Sequence, residues 1–398
     1  MSDAAPPTHP RHPTEPSVWA AAHLLGTASL VPTGSPEAAG VAALFAVGLS
    51  LRLERGERLV LRAGTAGPDQ AHARLSRLAG VRADPSLGAA LGEGGVLAPD
   101  ATPRVVFVRA GVVEHLGLRG ADADVPRPVG LLSAFPHRVT LLDLGRPVSF
   151  ERAEFPEWLC ATEPYPPLVG RPGERPEALL AAIPSAVAAL AEAWWRADAA
   201  DVGASAWLAL ARHVGEAGAA DGLLPASEPT TEPATSALAL RRAAQLVGLH
   251  DDLGFMGGDG SLLRGTVADG LRVAARWLED PVLAALATDG AAHADAIAAL
   301  RPALLPSAAG AGLRTAEAER VRAWLRGTDG DDAADALAAE RDARVEAVEA
   351  LAGESPARVV DRLEGAAYAL AQRLRAERAW VQGLADWASA RSERLIAR

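Results

Sequence analysis

At 398 residues, 49% of them apolar, the chain can bury a sizeable core and divide into two domains, and its net charge of −11 argues against general affinity for nucleic acid or an anionic membrane surface. It has neither lysine nor asparagine, a bias that fits a GC-rich bacterial gene and excludes a Walker-A P-loop for ATP or GTP, pyridoxal phosphate on a Schiff-base lysine, and the protein-kinase lysine. The single cysteine, Cys160, excludes an intrachain disulfide or an all-cysteine metal site and fits a reducing compartment.

Residues 1–16 are rich in proline, histidine and threonine and are expected to form a disordered tail. They lack a basic segment followed by a clean apolar run, so no signal peptide is expected. The uncharged runs Pro16–Pro36 and Ala38–Leu51 are short or interrupted, so neither is expected to span a membrane, and a cytoplasmic protein is the expectation. Helical spacing covers Val18–Ala28 and Glu37–Val47, the second opening on Ser35-Pro36. The period then changes to alternation in Leu49–Leu53 and Arg58–Arg62 around Glu54-Arg55-Gly56-Glu57, which reads as a β-hairpin. A short helix is predicted at Pro68–Leu78. Strands follow at Arg104–Arg109 and Arg138–Leu144, with fainter ones at Val129–Ser133 and Val148–Phe150. Their irregular spacing favours an α+β domain over 17–155 rather than a doubly wound sheet. Residues 156–176 contain six prolines and two glycines and read as a linker.

From 177 to 398 the pattern is that of an all-α helical bundle domain, so the chain is helix-dominated overall. Leu180, Ile183, Val187, Leu190 and Trp194 share one helical face, which Pro184 is expected to kink or split. Further helices are predicted over Val202–Gly215, from Thr235 or Ser236 to about Leu249, from a capping pair at Thr266 and Asp269, and as a short element after Asp280-Pro281. Ala291–Leu305, Ala316–Arg326 and Asp332–Ala352 come next. The last helix, Pro356–Ile396, carries an apolar stripe of Val359, Leu363, Ala367, Leu370, Leu374, Val381, Leu384 and Trp387. No fixed repeat is present, which favours a bundle over a solenoid. Seven of the nine tryptophans fall on these helices, where they serve as core spacers or, if exposed, as interface anchors.

Between two of these helices, His250–Gly260 gathers one histidine, three carboxylates and four glycines. The segment Ala244–Asp251 ends an apolar helix on His250-Asp251 and resembles the HD phosphohydrolases, all-helical enzymes whose His-Asp dyad holds divalent metal. The resemblance implies metal ligation by His250 and Asp251, a first ligand at His213, and a last one at Asp280, Asp289 or Asp295; His293 and Asp295 form a second His/Asp pair. Asp252 and the lack of lysine depart from the family pattern. The same residues also fit a helix C-terminus running into an acidic connection, with His250 near the last carbonyls and Gly254 left-handed. Cys160 could act as a nucleophile only with a histidine such as His137 or His115 beside it; otherwise it is a small core residue. Asp329-Gly330-Asp331-Asp332 with Glu340 mimics part of an EF-hand loop, but Ala333 and Ala334 at its fifth and sixth positions favour an acidic helix start.

Three functions are compatible with these features. The leading one is a non-enzymatic interaction or assembly subunit acting through helical surfaces, with a protein partner or self-association. The second is a metal-dependent phosphohydrolase centred on His250 and Asp251, with a divalent metal as its cofactor. The third is a small-molecule-binding protein with an interdomain pocket.

Overall fold

The computed structural model describes residues 16–25, 36–47, 51–55, 59–63, 68–78, 80–99, 102–109, 126–143, 145–160, 164–170, 176–195, 234–254, 261–326 and 331–396, with 49, 209 and 212. Residues 1–15 of the predicted N-terminal tail, the predicted helix over Val202–Gly215 apart from 209 and 212, His213 and His115 lie outside the described residues. The chain is helix-dominated, with a small antiparallel sheet in its N-terminal half and a helical C-terminal region.

The first half contains α1 (Pro16–Leu24), α2 (Pro36–Ala46), the hairpin β1 (Leu51–Arg55) and β2 (Leu59–Ala63), and α3 (Pro68–Leu75). It continues through β3 (Arg82–Ala83), α4 (Pro85–Gly92), β4 (Arg104–Arg109), β5 (Pro126–Phe135), β6 (Arg138–Asp143) and β7 (Arg146–Glu151). A short α5 (Phe155–Trp158), β8 (Leu168–Val169) and α6 (Pro176–Trp195) follow. The C-terminal helices are α7 (Ala234–Asp252), α8 (Arg264–Leu278), α9 (Pro281–Ala298), α10 (Leu300–Leu304), α11 (Ala308–Arg326), α12 (Asp331–Ala352) and α13 (Pro356–Ile396). Among the described residues seven helices open on proline, whose fixed φ and missing amide suit the first turn. This position explains much of the proline in an otherwise helical chain.

β4 sits inside a six-stranded sheet of order β3-β8-β4-β5-β6-β7. Its near-continuous apolar sequence is explained by burial on both faces. Val105 and Phe107 join the main core, whereas Val106 and Val108 pack with Leu131, Leu141 and Phe155 on the other face. The fainter pattern at 129–133 belongs to the ten-residue β5, which bulges between Leu131 and Ser133 and so breaks the strict alternation. The proline-rich stretch 156–176 is tied into this sheet. Leu159 bridges Val108, and β8 lies between β3 and β4.

One apolar cluster runs from Val18 in α1 to Ala388 in α13, so the first two helices share their core with the C-terminal ones. The seam is the crossing of α2 and α8, where backbones touch: a Cβ on Gly40 would lie 2.6 Å from the Gly270 amide nitrogen. α6 continues through Pro184 instead of splitting there. Proline inside a helix costs about 3 kcal/mol, and the apolar face Ile183, Val187, Leu190 and Trp194, buried in the packing with α13 and α2, opposes that cost. α6 is also the one described helix long and apolar enough to cross a membrane by length and composition, and 44% of that stretch is buried inside the protein.

Several helix boundaries differ from those predicted. α9 is an 18-residue helix rather than a short one, because Asp280 caps both the Val282 and Leu283 amides at 3.0 Å; the chain then breaks at Ala299, not near 290. α8 begins at Arg264, with the Ser261 hydroxyl accepting from the Gly265 amide, so Thr266 lies inside the helix and Asp269 pairs with Arg272. The α13 stripe buries Val359, Leu363, Leu370, Val381, Leu384 and Trp387 as its period requires, and leaves Ala367 and Leu374 half-buried.

Candidate functional site: a buried charge cluster at the end of α7

Charged side chains cost too much to bury unless partnered, so their position inside a fold is informative. Among the described residues, six buried polar or charged side chains fall between His250 and Thr266: His250, Asp251, Asp252, Ser261, Arg264 and Thr266. Across the same core lie Arg301, Glu317, Glu340 and Glu377. The described start of the stretch that stands out in the sequence, His250–Asp252, therefore lies at a polar centre of the helical region.

α7 runs to Asp252, three residues beyond the predicted end, and carries His250 and Asp251 into the interior as helical residues. The last carbonyls need donors. Arg301, at the start of α10, supplies one: its Nε donates to the His250 carbonyl at 3.1 Å, and its Nη2 pairs with Glu317 of α11. Gly254 is not left-handed; among the described residues the positive-φ glycines are Gly80, Gly94 and Gly145. Glycine is needed at 254 for space, because a Cβ there would stand 2.6 Å from the Arg301 guanidinium carbon. The role expected of His250 at the helix end is thus filled by an arginine 51 residues further on.

The imidazole of His250 is fully buried, and neither ring nitrogen has a hydrogen-bond partner. Its Nδ1 is 3.6 Å from Asp251 Oδ1, an electrostatic contact too long for a hydrogen bond. Burial, reinforced by the Arg301 charge, lowers its pKa to about 3, so the ring is neutral at physiological pH. Glu317 is pushed the other way, above its ordinary value, by burial that the Arg301 charge only partly opposes. Arg344 of α12 holds Asp251 Oδ2 at 2.7 Å and Glu340 at 3.1 Å, and Glu340 also receives Arg320 of α11 at 2.8 Å. Glu340, the last position of the EF-hand-like spacing, is therefore an inward member of this network.

His250, Asp251 and Glu317 each offer a ligand atom, and these atoms lie within 4.8 Å of one another. Neutral imidazole with two carboxylates is a ligand set for a divalent ion such as zinc or manganese. His293 and Asp295 are placed differently. The His293 ring lies 5.5 Å from that of Trp380, near Glu377, while Asp295 is exposed, as expected for residues two apart on a helix. Asp280 caps α9 and receives the Trp387 indole at 3.0 Å. Glu317, Arg301 and Arg344 carry no site signal in the sequence, because each reads as part of a solvated helix face. Only the distance between α7, α10, α11 and α12 turns them inward.

Cys160 is half-buried, with its amide bonded to the Phe107 carbonyl at 2.8 Å. Burial raises its pKa despite the nearby Arg109, the opposite of what an activated thiolate requires. His137 sits exposed in the β5–β6 turn.

No protein-family model matches the chain, and no curated protein matches it significantly in sequence.

Proposed function

We propose that the protein is an interaction or assembly subunit that works through its helical surfaces. The observation that supports this reading is Tyr368, 69% exposed on α13, a 41-residue helix roughly 60 Å long. The C-terminal part of α13 is seated in the core through Trp380, Val381, Leu384 and Trp387. Tyr368 stands on the outward face with Asp361, Glu364 and Arg375. An exposed aromatic flanked by charges is the composition of an interface anchor. Val345 on α12 and Leu240 on α7 add further exposed apolar side chains to the helical region. Light scattering on the purified chain, together with affinity capture from its native lysate, tests the reading. A stable oligomer or complex that Tyr368→Asp disrupts is expected; a monodisperse monomer that captures nothing refutes it.

A second reading, a metal-dependent phosphohydrolase, is favoured by the convergence of His250, Asp251 and Glu317. Phosphate-ester hydrolysis would need a bound ion with an open coordination position. Manganese- or zinc-loaded protein without activity on phosphomonoester and phosphodiester substrates would remove this reading.

A further inference from the structure

We propose that His250, Asp251 and Glu317 form a buried three-ligand site for one divalent metal ion, zinc or manganese in class, that ties the end of α7 to α11. The inference concerns the site of the second reading but does not need hydrolysis: metal uptake without phosphatase activity sinks the enzyme and leaves the site standing.

Two independent observations carry it. The first is convergence, since a histidine and a carboxylate on α7 and a second carboxylate on α11, with Glu317 66 residues after Asp251, place their ligand atoms within 4.8 Å of one another. Metal–ligand distances near 2.1 Å in a tetrahedral site set ligand atoms roughly 3.4 Å apart, so a modest inward movement of side chains would bring these three ligands to that spacing, with water as the fourth ligand. The second is the state of the imidazole. His250 is 0% exposed and both of its nitrogens lack hydrogen bonds. A buried ring with no use for either nitrogen is poorly explained as core filler, for which an apolar residue serves better.

The arginines fit the outer layer of such a site. Arg344 holds one oxygen of Asp251, leaving the other directed at His250 Nδ1, and Arg301 holds Glu317 Oε2. Partners of this kind orient ligating carboxylates. They also set a limit on affinity. Arg301 and Arg344 already neutralise the two carboxylates, so an added dication competes with the Arg301 guanidinium for Glu317. A weakened Arg301 should therefore tighten the site.

The experiment uses the full chain, stripped with chelator and dialysed against zinc alone or manganese alone. Metal content and the melting temperature are then read for wild type, Arg301→Gln, His250→Ala and Glu317→Gln, with circular dichroism confirming the fold. About one ion per chain and a rise in Tm of about 3 °C or more are expected for wild type, with at least tenfold tighter binding in Arg301→Gln. His250→Ala and Glu317→Gln should each lose both the ion and the shift. If His250→Ala fails to fold, Glu317→Gln and the wild-type measurement decide. Absence of bound metal in both wild type and Arg301→Gln overturns the proposal. So does metal that Glu317→Gln binds as tightly as wild type, which would place the ion on other residues.

Discussion

Replacing Arg301 with methionine tests the central packing claim most directly. Its side chain is 11% exposed, it pairs with a Glu317 side chain that is 7% exposed, and it donates to the His250 carbonyl at the end of α7. Methionine keeps much of the volume but leaves a carboxylate and a helix-end carbonyl without their donor. Removing one partner of a buried ion pair costs about 3–5 kcal/mol, against a total stability of about 5–15 kcal/mol for a folded domain. Some relief comes from Glu317 itself, since burial already raises its pKa and protonation becomes an escape. We therefore expect a loss of about 3 kcal/mol at pH 7, measured by urea unfolding with an unchanged m-value. The loss should shrink as pH falls, because burial raises the Glu317 pKa and a protonated carboxyl no longer needs a cation. The double variant Arg301→Met/Glu317→Leu should recover most of the loss, because an apolar pair suits the same space. A single-variant cost below about 1 kcal/mol, or no recovery in the double variant, would refute the account of Arg301 as the buried partner of Glu317.

Further expectations follow from other parts of the fold. His250 and His23 are both held below the usual histidine value, to about 3 and about 4, chiefly by burial. Each is neutral in the fold and takes a proton in the unfolded chain below about pH 6.5, so stability falls as pH drops from there toward the folded values. His250→Leu should remove about one proton from that pH dependence, read as a shallower stability–pH slope between pH 6.5 and 4; an unchanged slope would argue that His250 is solvated. Gly254→Ala should destabilise by about 2 kcal/mol, because its Cβ meets the Arg301 guanidinium, which the Glu317 pair holds in place; a neutral or higher Tm would contradict that contact. At the helix crossing, Gly40→Val should lower Tm by forcing α2 off α8. Asp280→Ala removes two amide caps and the Trp387 partner and should cost about 2 kcal/mol in the same denaturation assay.

What the sequence decides by itself is mostly local. Alternation in Leu49–Leu53 marks the hairpin, proline at the first turn marks helix starts, and the three- and four-residue rhythm of Val359 to Trp387 marks α13, because each depends only on backbone period and residue chemistry. The His250-Asp251 pair is legible for the same reason: histidine and acid at the end of an apolar helix are unusual neighbours. Two-residue strands such as β3 and β8 leave no period to read, and they exist because β8 pairs with β4 and β3 with β8. Pro184 shows the opposite case, a strong local signal overruled by the packing of its helix. At the site, tertiary structure replaced most of the predicted company. It put Glu317 rather than His293 or Asp295 beside His250, and gave the end of α7 to Arg301. A glutamate or arginine looks alike in sequence on a wet or a dry helix face. Only the packing of α10, α11 and α12 around α7 removes water from these charges and forces them to answer one another.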